Sequence, residues 1–258
     1  ITAIPSFIKL YKADGTTEVT ASTAVTATEL QGLKYKTIAD ANGTGSITWT
    51  VTDNGTTNGA SDPKTLTESL SVTVTAVNDA PTSTDDSVTT SEDTAVVLST
   101  SDFGTYSDVE GTALNKIKIT TLPSAGTLEY NSSGSTWSSV SLNQEITATD
   151  ITAGKLRFTP ATNANGSPYT TLQFKVSDGT DYSASAYTLT VNVSAVNDAP
   201  VNTVPSAQTT NEDTSLVFSS AHSNQIQIAD VDDGGSSMQV ELSVSHGTLT
   251  LVSTTGLS

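Results

Sequence analysis

Apolar and polar residues alternate along much of this chain. Ile47-Thr48-Trp49-Thr50-Val51, Leu70-Ser71-Val72-Thr73-Val74 and Leu189-Thr190-Val191-Asn192-Val193 place an apolar side chain at every second position. A period of two belongs to a half-buried β-strand, because successive side chains leave opposite faces of the pleat. Shorter segments of the same kind are Phe7-Ile8-Lys9-Leu10-Tyr11, Leu33-Lys34-Tyr35, Val96-Val97-Leu98, Ile117-Lys118-Ile119 and Leu172-Gln173-Phe174-Lys175-Val176. Turn signals stand beside or between them: Ala13-Asp14-Gly15, Asn42-Gly43, Asp53-Asn54-Gly55, Asn165-Gly166 and Ser177-Asp178-Gly179. These residue types accept positive φ or bond their own backbone. No helical stripe is present, although Thr26–Leu30 and Thr147–Ile151 each have room for one helical turn. The pattern predicts an all-β fold with about seven strands per unit, spaced as in a β-sandwich.

The units repeat. Val77-Asn78-Asp79-Ala80-Pro81 returns as Val196-Asn197-Asp198-Ala199-Pro200, roughly 120 residues later, which is one domain length. Each copy follows an alternating Val/Thr strand and leads into an acidic tetrapeptide, Ser91-Glu92-Asp93-Thr94 and then Asn211-Glu212-Asp213-Thr214. The middle unit also aligns with the first. Ile119-Thr120-Thr121-Leu122-Pro123-Ser124 matches Ile1-Thr2-Ala3-Ile4-Pro5-Ser6, and Ile146–Ile151 matches Val25–Leu30. The strand of Phe174 matches that of Trp49, and Gly126-Thr127-Leu128 matches Gly247-Thr248-Leu249. The division that follows is the C-terminal part of a domain at 1–77, a junction at 78–81, a complete domain at 82–195, a junction at 196–200 and the N-terminal part of a third domain at 201–258. The expectation is an excerpt from a longer tandem array. The other explanation is that the two partial ends complete each other between molecules.

Composition narrows the function. The chain carries 27 acidic and 10 basic residues, a formal charge of −17. Such a surface repels nucleic-acid backbones and anionic lipid heads and suits a binder of cations. There is no cysteine, so disulfides and thiolate chemistry are excluded. No apolar run approaches the roughly 20 residues of a membrane helix, so no membrane insertion is expected of this segment.

The acidic residues fall into four recurring groups. Asp79 and Asp198 lie in the junctions, and Glu92 and Glu212 follow them. Asp108-Val109-Glu110-Gly111 and Asp230-Val231-Asp232-Asp233-Gly234 form a third group, and Asp53 and Asp178 form a fourth. A D-x-D/E-G loop sets two carboxylates on one side of an extended segment. Ca²⁺ takes 6–8 oxygens from carboxylates, amides, main-chain carbonyls and water, and the Asn78 and Asn197 side chains are candidate amide donors. With no Cys and only two His, softer metals are poorly served. Any of these residues taken singly is also an ordinary turn former or solvated charge. Their crowding favours a cation, since two carboxylates about 4 Å apart repel by roughly 4 kcal/mol at an effective dielectric near 20.

Asp178-Gly179, the alternating strand and Val196-Asn197-Asp198-Ala199-Pro200 together resemble the end of a cadherin repeat, whose junction reads D-x-N-D-N-x-P. The chain more closely resembles the bacterial cadherin-like or immunoglobulin-like tandem repeats of large secreted adhesins, in which V-N-D-A-P and N-E-D-T recur. The middle unit is also similar to the proteoglycan-type variant at Ile146–Phe158 and Phe174–Gly179. The resemblance implies Greek-key β-sandwiches in a linear array, a secreted or surface location in bacteria, and Ca²⁺ at the junctions. It implies that Asn78 and Asp79 meet Asp108, Glu110 and Asp178. It likewise implies that Asn197 and Asp198 meet Glu92, Asp230 and Asp232, while Asp53 and Glu212 serve junctions at the outer ends. Two departures stand out: Ala80 and Ala199 replace the second Asn of the cadherin junction, and no D-R-E motif is found. They imply fewer or weaker ions per junction.

The expected function is therefore that of an extracellular extender or surface filament in cell adhesion, with no enzymatic activity. Its partners would be neighbouring repeats, with other copies of the chain or surface glycans as further candidates. The alternative is a carbohydrate- or protein-binding sandwich, for which Trp137 is the candidate contact. His246, in Ser245-His246-Gly247, lacks a matching partner in the complete unit and reads as a surface histidine. Trp49 and Phe174 read as core.

Overall fold

A computed structural model describes residues 1–235 and 238–251. The last seven positions of the expected third unit lie outside the described residues. The first part contains β1 (Ile8–Tyr11), β2 (Glu18–Val19), α1 (Ala27–Gln31), β3 (Lys34–Thr37), β4 (Gly43–Thr52), β5 (Thr56–Thr57), β6 (Ala60–Ser61) and β7 (Thr65–Val74). The middle part contains β8 (Asp86–Ser91), β9 (Val96–Val97), β10 (Lys116–Thr121), β11 (Thr127–Tyr130), β12 (Ser138–Ser139), β13 (Glu145–Thr147), α2 (Ala148–Thr152), β14 (Leu156–Thr159), β15 (Gly166–Ser177) and β16 (Tyr187–Ser194). In the last part, β17 (Val201–Thr203) pairs with β18 (Gln227–Ala229).

The middle part is an all-β sandwich. One sheet has the order β13-β10-β15-β16-β8 and the other β12-β11-β14-β9. Alternation in the sequence becomes alternation in space: Ile117 and Ile119 are fully buried, while Lys116 and Lys118 on the other face reach the ring of Tyr182. Leu172, Phe174, Val176, Leu189 and Val191 of the first sheet pack with Leu128, Leu156 and Phe158 of the second in one core. Phe103 enters from a connection and meets Phe174 edge-on at 5.0 Å, the arrangement favoured by ring quadrupoles. Gly126 is required where β11 begins. Its φ is +69°, and a Cβ there would stand 2.4 Å from the Phe158 ring.

Nine strands form this unit rather than about seven. The expected Val96-Val97-Leu98 segment is present as β9, and the additional strands include β12, two residues long and too short to show a period. The two expected helical turns are present as α1 and α2, each closed at its N-terminus by a threonine side chain, Thr26 and Thr147. The alignment of the first two units holds in register: Ala3 bridges to Thr48, as Thr121 pairs with Gln173.

Trp49 departs from expectation. Phe174 is fully buried, but Trp49 only packs at the edge of a smaller cluster formed by Phe7, Ile8, Leu10, Val19, Ile47 and Val72. On the same β4–β7 hairpin, Val51 and Leu66 beyond it and Leu70 opposite Ile47 stand open. In the middle unit a second sheet covers the equivalent face; among the described residues the first part has no equally complete cover. We therefore expect Phe174→Ala to cost about 3–5 kcal/mol and Trp49→Ala clearly less. Urea unfolding of the full chain measures both, and equal costs would contradict this packing.

Candidate junction sites

The first junction is built where the chain leaves β7 and approaches β8. The Asn78 side-chain amide nitrogen donates to Asp178 Oδ2 at 2.9 Å, Asp181 Oδ2 at 3.1 Å and the Asp79 carbonyl at 3.2 Å. An NH₂ group has two hydrogens, so three acceptors converge on a position with too few donors. The Asp79 amide donates to Glu110 Oε2 at 3.2 Å. Thr82 and Ser107 bond each other through their main chains at 2.8 and 2.9 Å, which lays the Asp108–Glu110 loop beside the junction. Asp108 Oδ1 accepts the Thr112 amide, while its Oδ2 is buried with no partner. Tyr106 lies close enough for burial, and then the charges of Asp108 and Asp178, to push its phenol up to about 12. On the other side, Asp40 and Asn42 of the first part line one cleft with Asp79 and Glu110.

The second junction repeats this arrangement. The Asn197 amide nitrogen donates to the Asp198 carbonyl at 2.9 Å, and the Asp198 amide donates to Asp232 Oδ2 at 2.5 Å. Asp232 thus takes the position that Glu110 holds at the first junction. Asp230 Oδ1 accepts the Asp232 amide at 2.9 Å. Glu92, only 2% exposed, accepts the Val196 amide at 2.6 Å and the Asn165 side-chain amide at 3.2 Å. Asp198 Oδ2 is buried and has no partner.

The two sites differ electrostatically. Burial raises the Asp178 carboxyl, but donation by the Asp181 amide, Asn78 and the Thr180 amide outweighs it, and the net shift is downward. Among the described residues, Asp198 has no such donors on its carboxylate. Burial, then the charges of Asp232, Asp93, Glu92 and Asp230, raise it above the ordinary 3.8.

The residues that sequence assigned to each junction are thus placed near one another. Asp53 and Glu212 lie elsewhere. Asp53 accepts the Lys64 and Gly55 amides within the β4–β7 hairpin. Glu212 is exposed, and its carbonyl accepts the Thr214 hydroxyl. Asp40, Asp181 and Asn165 were not foreseen. Asp181 had a signal in Asp178-Gly179-Thr180-Asp181, a turn that returns a second carboxylate to the first. Among the described residues, no group of three or more His, Asp or Glu side chains converges as a ready-made metal site. The oxygens gathered here are of mixed origin: carboxylate, amide and main chain.

The other candidate, Trp137, has its ring against Arg157 at 4.2 Å, and Arg157 is itself held by Glu129 at 2.8 Å. Among the described residues, the His246 side chain bonds its neighbour Ser245, and it stands exposed. Among the described residues, no helix is long and apolar enough to cross a membrane. Residues 78–194 match the family model described as bacterial Ig domain. No curated protein and no solved structure matches the chain.

In chelator, the Asp178 and Asp198 carboxyls should be shifted in opposite directions from the ordinary value, Asp178 downward and Asp198 upward. A depressed carboxyl contributes stability above its unfolded pKa, lost as pH falls through the folded one. A raised carboxyl penalises the folded state once ionised, and that penalty is relieved as pH falls through the folded pKa. Carboxyl-carbon NMR titration should find Asp178 below and Asp198 above 3.8; the reverse order would contradict the site geometry.

Proposed function

We propose, taking residues 78–194 as a bacterial Ig-like domain, that the chain is part of an extracellular tandem array whose junctions are stiffened by Ca²⁺. The array acts as an extender or surface filament in cell adhesion. One observation carries the reading: each junction holds a carboxylate oxygen, on Asp108 and on Asp198, out of solvent and without a donor among the described residues. A buried carboxylate normally has a partner. At the first junction, rotation of the Asn78 amide would turn its oxygen toward the oxygens of Asp178, Asp181 and Asp79 that now crowd its nitrogen.

The residues that would hold the ion are Asn78, Asp79, Asp108, Glu110 and Asp178 with Asp181 at the first junction. At the second they are Glu92, Asn197, Asp198, Asp230 and Asp232. A bound Ca²⁺ supplies positive charge and flexible oxygen coordination. Asp53 and Glu212 would take part in junctions beyond the outer parts. The Arg157 stack and its Glu129 partner already engage Trp137, so the sugar-binding alternative has no comparable support.

A thermal melt in millimolar CaCl₂, MgCl₂ and EDTA tests this. A ligand present at about 100 times its Kd and bound only to the folded state adds about 2.7 kcal/mol, so a Ca²⁺-selective rise is expected. Asp198→Asn should be neutral or stabilising in EDTA, where it relieves repulsion, and destabilising relative to the parent in Ca²⁺. Identical melts in all three solutions, with no crossover for Asp198→Asn, would sink the proposal.

A further inference from the structure

We infer that copies of this chain pair side by side in antiparallel order, the lysine-bearing sheet faces of one copy meeting the acidic C-terminal third of the other. The basic residues are few and gathered: six of the ten lie on two outward sheet faces. In the first part, Ile8 and Leu10 are buried, so Lys9 and Tyr11 of β1 face outward. Lys36 stands directly opposite Lys9, and Lys34 opposite Tyr11. All three lysines are exposed, and Glu18 reaches Lys9 at 3.3 Å. In the middle domain, Lys116 and Lys118 of β10 face outward, and Lys118 stands directly opposite Lys175 of β15. The Lys118 ammonium lies 3.9 Å from the centre of the Tyr182 ring and that of Lys116 5.5 Å. Glu145 reaches Lys116 at 2.6 Å and Lys118 at 3.7 Å.

Each face thus holds three lysines, one tyrosine and one glutamate. The two faces lie on sheets that do not correspond. β1 and β3 take the places of β11 and β14, whereas β10 and β15 belong to the opposite sheet. The shared arrangement is therefore not a by-product of the repeat. Like charges directly opposite on neighbouring strands are destabilising, and a single glutamate offsets one of three ammonium groups. An anionic partner would offset the rest.

The chain itself provides that partner. Lys175 is its last basic residue; nine acidic residues and no lysine or arginine follow. Of these, Glu212, Asp213 and Glu241 are exposed and lie at neither of the two junctions. With the bases confined to the first and middle parts and acids alone behind them, antiparallel order sets unlike charges together. Parallel order in register sets like against like. A two-fold pair makes each contact twice, which matters because single exposed ion pairs are weak. At physiological ionic strength the screening length is about 8 Å, so the touching faces outweigh the repulsion between two chains that each carry −17. Neither lysine face includes a junction residue, so the pairing and the ion sites fail separately.

Sedimentation velocity over a concentration series of the full chain tests the pairing, in CaCl₂ and in EDTA. A monomer–dimer equilibrium is expected in both at physiological ionic strength. It should be lost in about 1 M salt, where the screening length falls to about 3 Å. Lys118→Glu with Lys175→Glu should weaken the pair by roughly tenfold or more, and so should Glu212→Lys with Glu241→Lys. Mixing the two variants sets opposite charges together again at both contacts and should restore the pair. Should the Lys118 variant fail to fold beside Glu145, Lys9→Glu with Lys36→Glu, on the exposed face, takes its place. Carbodiimide cross-linking of mixed light and heavy copies should join lysines of one to acids beyond Asp198 of the other. A monomer at every concentration, a pair that forms only in CaCl₂, or variants that stay apart when mixed would overturn the inference. So would a parent chain that remains monomeric yet binds heparin, which would assign the lysine faces to an anionic glycan.

Discussion

A carboxylate held out of water among other carboxylates must give up its charge, find a donor or find a cation. The junctions of this chain are organised by that constraint. At the first, Asn78 provides N–H donors to two aspartates, Asp178 and Asp181, and is overcommitted. At the second, Asp198 has no donor to its carboxylate among the described residues and is pushed upward by burial and by four acidic neighbours. The same main-chain relation, an aspartate amide bonding the acid of a following loop, occurs at both. The repeated geometry leaves oxygens facing one another in two places, and Ca²⁺ is the common physiological ion suited to that company.

The sandwich makes the junctions possible. Its strands fix where each acid emerges: Asp178 at the end of β15, Glu92 just past β8, and the Asp108 loop through the Thr82–Ser107 bridge. These positions come from the core. Phe174, Ile117 and Phe158 hold the two sheets in register, and the loops at the domain ends inherit that precision. The parallel β8–β16 ladder gives the same domain a direction, with its two attachment points at opposite ends.

Much of this was legible in the sequence because strong local signals agreed. Period-two alternation gave the long strands. The repeated V-N-D-A-P marked two acidic segments, and the resemblance to cadherin-like repeats implied that Asn78 meets Asp178 and Asp198 meets Asp232, which hydrogen bonds bring together. What stayed hidden depended on contacts between distant segments. β12 is two residues long and is defined by its pairing with β11. Trp49 follows the same pattern as Phe174, yet its burial depends on what covers the sheet, which alternation does not encode. Asp40 reaches the first junction through a turn at a φ of 58°, and its position was not readable from spacing. The parallel pairing of β8 with β16 joins segments a domain length apart and has no sequence signature of its own.

The central claim is that cations lock the junctions, and the most direct measurement is the maximum dimension of the full chain by small-angle X-ray scattering in CaCl₂ and in EDTA. The account predicts a longer and better-defined particle in CaCl₂, with flexibility appearing on chelation and MgCl₂ failing to substitute. Superimposable curves in CaCl₂ and EDTA would show that the junction acids are solvated turn formers, and the stiffened-array account would be wrong.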